Sequence, residues 1–176
     1  MWAKQRQSGF TVVELLIVIV IIAILAALSI VAYNGIQQRA RNAQIVAGVN
    51  AYKKGIMQFM TVNGRTPHGA TSNICLGSGY SDGVCVSGPA VGGQVIHAND
   101  ATFDGLVGGF MQGKPPIGGK LVDITGGTKV VGAYYWGGRI FYHLEGNNQN
   151  CAAGGAPSNF GKLTRCDVTL PAPSSL

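Results

Sequence analysis

The run from Leu15 to Ala32 constrains this chain more than any other feature of its sequence. Its eighteen residues include no charge, no glycine and no proline, and thirteen of them are leucine, isoleucine or valine. Since a helix rises about 1.5 Å per residue, an apolar helix of this length matches the hydrocarbon core of a bilayer. We therefore predict a single membrane-spanning helix near the N-terminus.

One carboxylate, Glu14, stands at the entrance of this run. On the scale of membrane insertion the aliphatic side chains contribute on the order of 6 kcal/mol, whereas a carboxylate costs about 3 kcal/mol even at the bilayer centre, so insertion is still favoured. Lys4 and Arg6 precede the run with no acidic residue beside them. Because basic flanks stay in the cytoplasm, the sequence predicts a cytoplasmic N-terminus and an extracytoplasmic head.

A secretory signal peptide and a plain membrane anchor are simpler explanations of the same run. A signal peptide is cut after its apolar region at an Ala-x-Ala-like site. No two alanines of the run are separated by one residue, although Ala27-Leu28-Ser29 has small residues at the spacing of such a cleavage site. A plain anchor explains neither Gly9 nor Glu14, and ionisable groups inside membranes are usually functional and paired. We therefore expect Glu14 to have a partner.

The N-terminal residues resemble a known signature. Met1 to Gly9 is a short basic leader that ends in glycine, and Phe-Thr-Val-Val-Glu at 10–14 leads into the apolar run. Over about 25 residues this resembles the prepilin signature of type IV pilins and of the pseudopilins of type II secretion. The resemblance implies cleavage between Gly9 and Phe10, methylation of the new Phe10 amine, and pairing of Glu14 with that amine on a neighbouring subunit.

The resemblance also implies partners and a location. The expected partners are other copies of the chain in a helical filament, the leader peptidase and methylase, a platform membrane protein, and membrane lipid before assembly. The assembled filament would lie on the cell surface. Many pilins have glycine and proline where this chain has Ala23 and Val31. We therefore expect a straighter helix that bends most easily at Gly35.

The helix is predicted to continue beyond the membrane to about Val62. Asn63-Gly64 followed by Pro67 is a stop signal. Gly48 and Gly55 each lower helix stability by roughly 1 kcal/mol relative to alanine, so burial must compensate. A stripe with the 3.6-residue period is predicted to face the head, and it comprises Ile45, Val49, Tyr52, Ile56, Phe59 and Met60.

The rest of the chain predicts an α+β head. A second helix is expected to begin at Asn99 or Asp100 and to end at Gly113, with an apolar stripe of Phe103, Leu106, Val107 and Phe110. The period then changes to two, in runs at 120–125, 129–136, 139–145 and 162–170, three of them separated by glycine pairs typical of tight hairpins. We predict the long helix packed on an antiparallel sheet of three to four strands. The expected segments are a cleaved leader at 1–9, a transmembrane helix at 10–33, its amphipathic continuation at 34–63 and a head at 64–176.

Four cysteines are predicted to form two disulfides outside the cytoplasm. Of three possible pairings we favour Cys75 with Cys85 and Cys151 with Cys166, because shorter loops close at a lower entropic cost. A zinc site is the alternative, but the sequence has no Cys-x-x-Cys and no histidine at ligand spacing. The loop from 151 to 166 resembles the disulfide-bounded C-terminal region of many pilins, which implies a role in subunit contacts or adhesion.

No enzymatic site, cofactor or metal is predicted. Ser and Cys lack a base partner, and the glycines between 75 and 85 do not form a G-x-G-x-x-G motif. His143 alternates with Phe141 and Glu145, for which we predict a solvated strand face rather than a catalytic pair. Three acids do not fit an EF-hand and are predicted to cap helices or face solvent, namely Asp82, Asp100 and Asp104.

The predicted function is that of a structural subunit of a type IV pilus-like filament. A minor pilin or a type II secretion pseudopilin shares the same N-terminal features and is the closest alternative. A membrane-tethered binding or enzymatic domain is the alternative from another class. After loss of the leader the chain has 11 basic and 7 acidic residues, but the basic ones are scattered, so nucleic acid is possible as a partner and not favoured.

Overall fold

The computed structural model describes residues 9–67, 73–89, 95–97 and 100–173. The chain forms two compact units, Met1–Arg39 and Ala40–Leu176. A helix, α1 (Val12–Asn63), begins in the first unit and ends in the second. Among the described residues it is the one helix long and apolar enough to cross a membrane.

The second unit contains nine strands and one further helix among its described residues. Every strand pair is antiparallel. After α1 the elements are β1 (Ile74–Leu76), β2 (Val84–Ser87), β3 (Val95–His97), α2 (Ala101–Gly108), β4 (Val122–Thr125), β5 (Thr128–Val130), β6 (Ala133–Trp136), β7 (Arg139–Glu145), β8 (Ala156–Phe160) and β9 (Leu163–Thr169).

The strands form two sheets, one of five strands in the order β1-β6-β7-β9-β8 and one of four in the order β3-β2-β5-β4. The predicted α+β class is confirmed, with two sheets in place of one sheet of three to four strands. The run at 129–136 contributes to both sheets, because Gly132, with φ of 65°, separates β5 from β6. The strands β1, β2, β3 and β8 lie in segments for which the sequence predicted no strand.

The predicted stripe of α1 is buried as expected. All six of its residues are at most 7% exposed and belong to one core cluster with residues of α2 and the five-stranded sheet. The ring of Tyr52 lies 6.5 Å from that of Phe103, which lies 5.5 Å from that of Tyr135. An aromatic column therefore joins α1, α2 and β6.

The two glycines in this part of α1 permit close packing. A Cβ at Gly48 would lie 2.4 Å from Cγ1 of Ile117, and one at Gly55 would lie 2.6 Å from Cγ of Met111. The segment after α2 therefore approaches the helix backbone more closely than alanine would allow. This contact compensates for the low helix propensity of glycine.

Both disulfides link separate parts of the fold. Cys75–Cys85 joins β1 to β2 and so connects the two sheets, and Cys151–Cys166 ties the segment before β8 to β9. The second helix begins where the sequence predicts, since Oδ1 of Asp100 accepts a hydrogen bond from the Phe103 backbone N–H at 2.8 Å. It ends at Gly108, before the predicted Gly113, because the glycine pair at 108–109 stops it earlier.

Asn42 fastens α1 to the end of β7. Its Oδ1 accepts from the Glu145 backbone N–H at 2.8 Å, and its Nδ2 donates to the Glu145 carbonyl at 3.0 Å. We expect Asn42→Ala to lower the free energy of unfolding of the head by about 2 kcal/mol, because it leaves both backbone groups without their partner. Chemical denaturation followed by circular dichroism would measure this loss.

Asn50 provides the matched control for Asn42. It lies on the same helix two turns later, with an exposed side chain. Asn50→Ala should change the free energy of unfolding by no more than about 0.5 kcal/mol. Equal effects of the two substitutions would show that the bonds to Glu145 contribute nothing beyond helix propensity.

Candidate functional site

The apolar surface of α1 in the first unit is the most unusual feature of the molecule. From Leu15 to Ile36 the large apolar side chains that the structure describes are 47–66% exposed, and Phe10, just before the helix, is 86% exposed. A helix that is apolar all round requires lipid or other helices around it. This surface is therefore the candidate site of membrane anchoring and of assembly.

Thr11 and Glu14 form a reciprocal cap at the start of α1. The Glu14 backbone N–H donates to Oγ1 of Thr11 at 3.2 Å. In return, Oε2 of Glu14 accepts from the Thr11 backbone N–H at 2.9 Å and from its hydroxyl at 2.7 Å. This arrangement is a capping box, which satisfies two backbone donors at a helix N-terminus. Its sequence signal is Thr-x-x-Glu ahead of an apolar run, which was not among the predicted features.

The cap leaves one carboxylate oxygen of Glu14 available. Both bonds to the carboxylate end on Oε2, and no hydrogen bond reaches Oε1 from the part of the chain that the structure describes. Glu14 can therefore keep its local role in the helix and still accept a cation from outside its own subunit. This is the chemistry expected of a charge pair between subunits.

Gly9 and Phe10 lie outside α1 and are exposed. A Cβ added to Gly9 would meet nothing within 4 Å, so none of the described residues covers the bond between Gly9 and Phe10. Lys4 and Arg6, for which the sequence predicts a cytoplasmic location, lie outside the described residues.

The head offers no arrangement typical of an enzyme among its described residues. No group of three histidine, cysteine or acidic side chains could hold a metal ion there. Asp100 caps α2 and Asp82 is exposed, as predicted, whereas Asp104 forms an ion pair with Lys114 at 2.6 Å that the sequence did not predict. A groove of about 850 Å³ beside Gln58 and Phe110 has no acidic, histidine or cysteine side chain in its lining.

The position of His143 corrects the prediction of a solvated strand face. The side chain is 3% exposed, because the four-stranded sheet packs over this part of the five-stranded sheet. Its ring stacks at 6.1 Å from that of Tyr134 and lies 6.3 Å from that of Phe160. Burial, and secondarily the charge of Arg165, lower the pKa of His143 to about 4. His143 is thus a neutral core residue at neutral pH.

Comparison with known proteins places the N-terminal segment in a family. The family model of the prokaryotic N-terminal methylation motif matches residues 4–30. The chain is 32% identical over 136 residues to the fimbrial protein EcpC of Eikenella corrodens. This alignment covers 76% of this chain and 82% of that protein. No solved structure matches the chain.

Two shorter matches concern the N-terminal part of the chain. The chain is 35% identical over 66 residues to the type IV major pilin protein PilE1 of Neisseria gonorrhoeae, and 36% identical over 64 residues to the type II secretion system core protein G of Aeromonas hydrophila. These alignments cover 38% and 36% of this chain, and 40% and 45% of the two relatives. The long match to EcpC and the motif at 4–30 agree with the exposed apolar helix, and the chain belongs to the family of type IV pilins and pseudopilins.

Proposed function

We propose that this chain is a structural subunit of a type IV pilus-like filament that assembles through α1. The observation that carries the proposal is the exposed apolar surface from Leu15 to Ile36, headed by the carboxylate of Glu14. In a bilayer this surface contacts lipid, and in a filament it contacts the same surface of other subunits. The head then has no catalytic task.

Processing creates the partner that Glu14 requires. A peptidase on the cytoplasmic face removes residues 1–9, and the freed Phe10 amine is methylated and stays cationic. Once α1 leaves lipid for the filament core, an unpaired carboxylate would cost several kcal/mol. The Phe10 amine of a neighbouring subunit neutralises Oε1 of Glu14. Because apolar helices alone slide past one another freely, this charge pair also fixes their register.

The remaining segments follow from this assignment. Residues 10–33 anchor the subunit and later line the filament core, residues 34–63 continue the helix, and residues 64–176 complete the head on the extracytoplasmic side. A platform membrane protein moves the subunit from bilayer to filament. The disulfides at Cys75–Cys85 and Cys151–Cys166 suit a head that folds outside the reducing cytoplasm.

A pseudopilin of a type II secretion system is the second candidate, favoured by the match to the Aeromonas core protein G. Both candidates share the processing at Gly9 and the charge pair at Glu14. They differ in the fibre, because a major pilin builds long surface filaments composed largely of itself. Composition of sheared surface filaments therefore separates them.

Mass spectrometry of the N-terminus tests the proposal directly. Protein isolated from its own cells should begin at Phe10 and carry one methyl group on its amine. Trp2 would be absent from the mature chain, so a loss of tryptophan absorbance accompanies processing. Recovery of chains that still carry residues 1–9 from cells with an active prepilin peptidase would contradict the proposal.

A further inference from the structure

The face of the five-stranded sheet turned away from α1 is partly covered by the four-stranded sheet, and beside that cover it carries a cluster of arginine and aromatic side chains that the assembly role does not use. We call it the Trp136 surface, and define it by Trp136, Arg139, Phe141, Arg165 and Asp167. The ring of Phe141 lies at its centre and is only 5% exposed. The Trp136 ring lies 6.0 Å from it, and the guanidinium carbons of Arg139 and Arg165 lie 5.3 Å and 5.9 Å from it.

The two arginines of this surface differ in their partners. Arg139 forms a bidentate ion pair with Asp167, in which its Nε donates to Oδ1 at 3.0 Å. Arg165 has neither an ion pair nor a hydrogen bond from its guanidinium to any described residue, and its Nε is buried without a partner. Instead its guanidinium lies over the rings of Phe141 and Phe160, the latter at 5.4 Å.

A guanidinium held in this way is prepared to bind an anion. Contact with two rings restricts the side chain of Arg165, so less rotamer freedom remains to be lost when a ligand binds. A planar guanidinium with free N–H groups matches a carboxylate, to which it can donate two parallel hydrogen bonds. Phe141 and Phe160 supply the position, and the unpaired charge supplies the attraction.

Trp136 adds an apolar contact beside this charge. Its side chain is 46% exposed, whereas the other large apolar side chains that the structure describes in the sheets are largely buried. Trp136 and Arg165 both lie within about 6 Å of the Phe141 ring. One short ligand can therefore touch the indole and the guanidinium together.

We propose that the Trp136 surface binds an acidic oligosaccharide, with a uronate or similar carboxylate on Arg165 and the apolar face of a sugar ring on Trp136. Hydroxyl groups of the sugar then meet Asp167 and the flanking Ser158 and Thr169, which are the cross-strand neighbours of Arg165 and Arg139. A nucleic acid fits less well, because Asp167 repels a chain of phosphates and only one guanidinium of the surface is unpaired.

Fluorescence of Trp136 provides the test. The full chain carrying Trp2→Phe, in non-ionic detergent, has Trp136 as its one tryptophan. Titration with trigalacturonate should change its emission and saturate. The methyl ester of the same trisaccharide, which lacks the carboxylates, should bind about tenfold more weakly. Binding is measured on unassembled protein, so the result does not depend on filament formation.

Arg65 offers a matched control for Arg165. Its guanidinium carbon also lies over an aromatic ring, 5.3 Å from the centre of Phe59, outside the Trp136 surface. Arg165→Gln should weaken binding of trigalacturonate about tenfold. Arg65→Gln, which removes the same charge, should leave it unchanged. Melting temperatures of both variants check that the head is folded.

Three results would overturn the proposal. The first is an emission of Trp136 that does not respond to trigalacturonate, with no saturation transfer to the trisaccharide by NMR. The second is equal binding of trigalacturonate and its methyl ester by the protein that retains Arg165. This comparison does not depend on the folding of any Arg165 variant. The third is tighter binding of a short single-stranded oligothymidylate than of trigalacturonate, which would identify the surface as a nucleic-acid site.

Discussion

Replacing Glu14 by valine is expected to leave cleavage after Gly9 intact and to lower the yield of filaments at least about tenfold. The reason is the Phe10 amine that processing creates. In a subunit with Glu14→Val this amine enters the apolar filament core without a counter-charge, and leaving one member of a buried charge pair unpaired costs about 3 kcal/mol or more. Insertion of α1 into the bilayer should be unaffected, because the substitution makes it more apolar.

The capping box gives Glu14 a second role within its own subunit, and three variants separate the two roles. Glu14→Gln keeps a side chain that can complete the cap and removes only the charge. Thr11→Val removes the hydroxyl of the cap and keeps the charge. If the charge pair governs assembly, Glu14→Gln should resemble Glu14→Val, and Thr11→Val should assemble nearly as well as the unsubstituted chain.

Filaments sheared from cells and quantified against total processed subunit would measure these yields. Mass spectrometry of each variant first establishes that cleavage has occurred, since Thr11 is the second residue after the processed bond. A normal yield from Glu14→Gln together with a poor yield from Thr11→Val would assign Glu14 to capping alone. That outcome would remove the charge pair from the proposed function and would leave the apolar contacts of α1.

The helical half of the fold could be predicted because its determinants are local. The stripe from Ile45 to Met60 repeats with the period of a helix, and each of its six members is buried in the structure. The same holds for the start of α2, where Asp100 caps the helix as its position suggests. A period and a cap are properties of neighbouring residues, so a single sequence displays them.

The sheets could be predicted only in part because sheet membership depends on distant residues. The run at 129–136 has the appearance of one strand, and only the structure shows that Gly132 sends its two halves into different sheets. The strand β8 contains Pro157 and Asn159, which disfavour strands, and it occurs at a sheet edge where proline is tolerated. Backbone pairing with β9 stabilises β8 as a strand, although its own residues have a low strand propensity.

The candidate sites show the same division. Gly9, Phe10 and Glu14 stand in one short motif, and the capping partner Thr11 could have been found by the same inspection. The Trp136 surface could not, because Trp136, Arg139 and Arg165 come from three strands and only β-pairing brings them together. Scattered basic residues in the sequence therefore gave no indication that one guanidinium would lie unpaired over two rings.

Acidification is expected to destabilise the head through His143. The pKa of this buried side chain is about 4 in the folded state, whereas an exposed histidine in the unfolded chain titrates near 6.5. Above pH about 6.5 both states are neutral, and His143 has no effect. Between pH about 6.5 and 4 the unfolded chain takes up a proton that the folded head does not, so stability falls by up to about 3 kcal/mol.

His143→Phe should remove this part of the pH dependence. Phenylalanine keeps the stacking with Tyr134 and Phe160 and cannot titrate. Urea denaturation of the full chain carrying Trp2→Phe, followed by Trp136 fluorescence, would compare both proteins at pH 7, 5.5 and 4.5. The difference between their free energies of unfolding should grow as the pH falls, because only the protein with His143 takes up this proton on unfolding. Ion pairs such as Arg41–Glu145 are common to both proteins and cancel in the difference. A difference that stays constant over this range would mean that His143 is as accessible to protons in the folded head as in the unfolded chain. The four-stranded sheet would then pack over β7 more loosely than the 3% exposure of this side chain indicates.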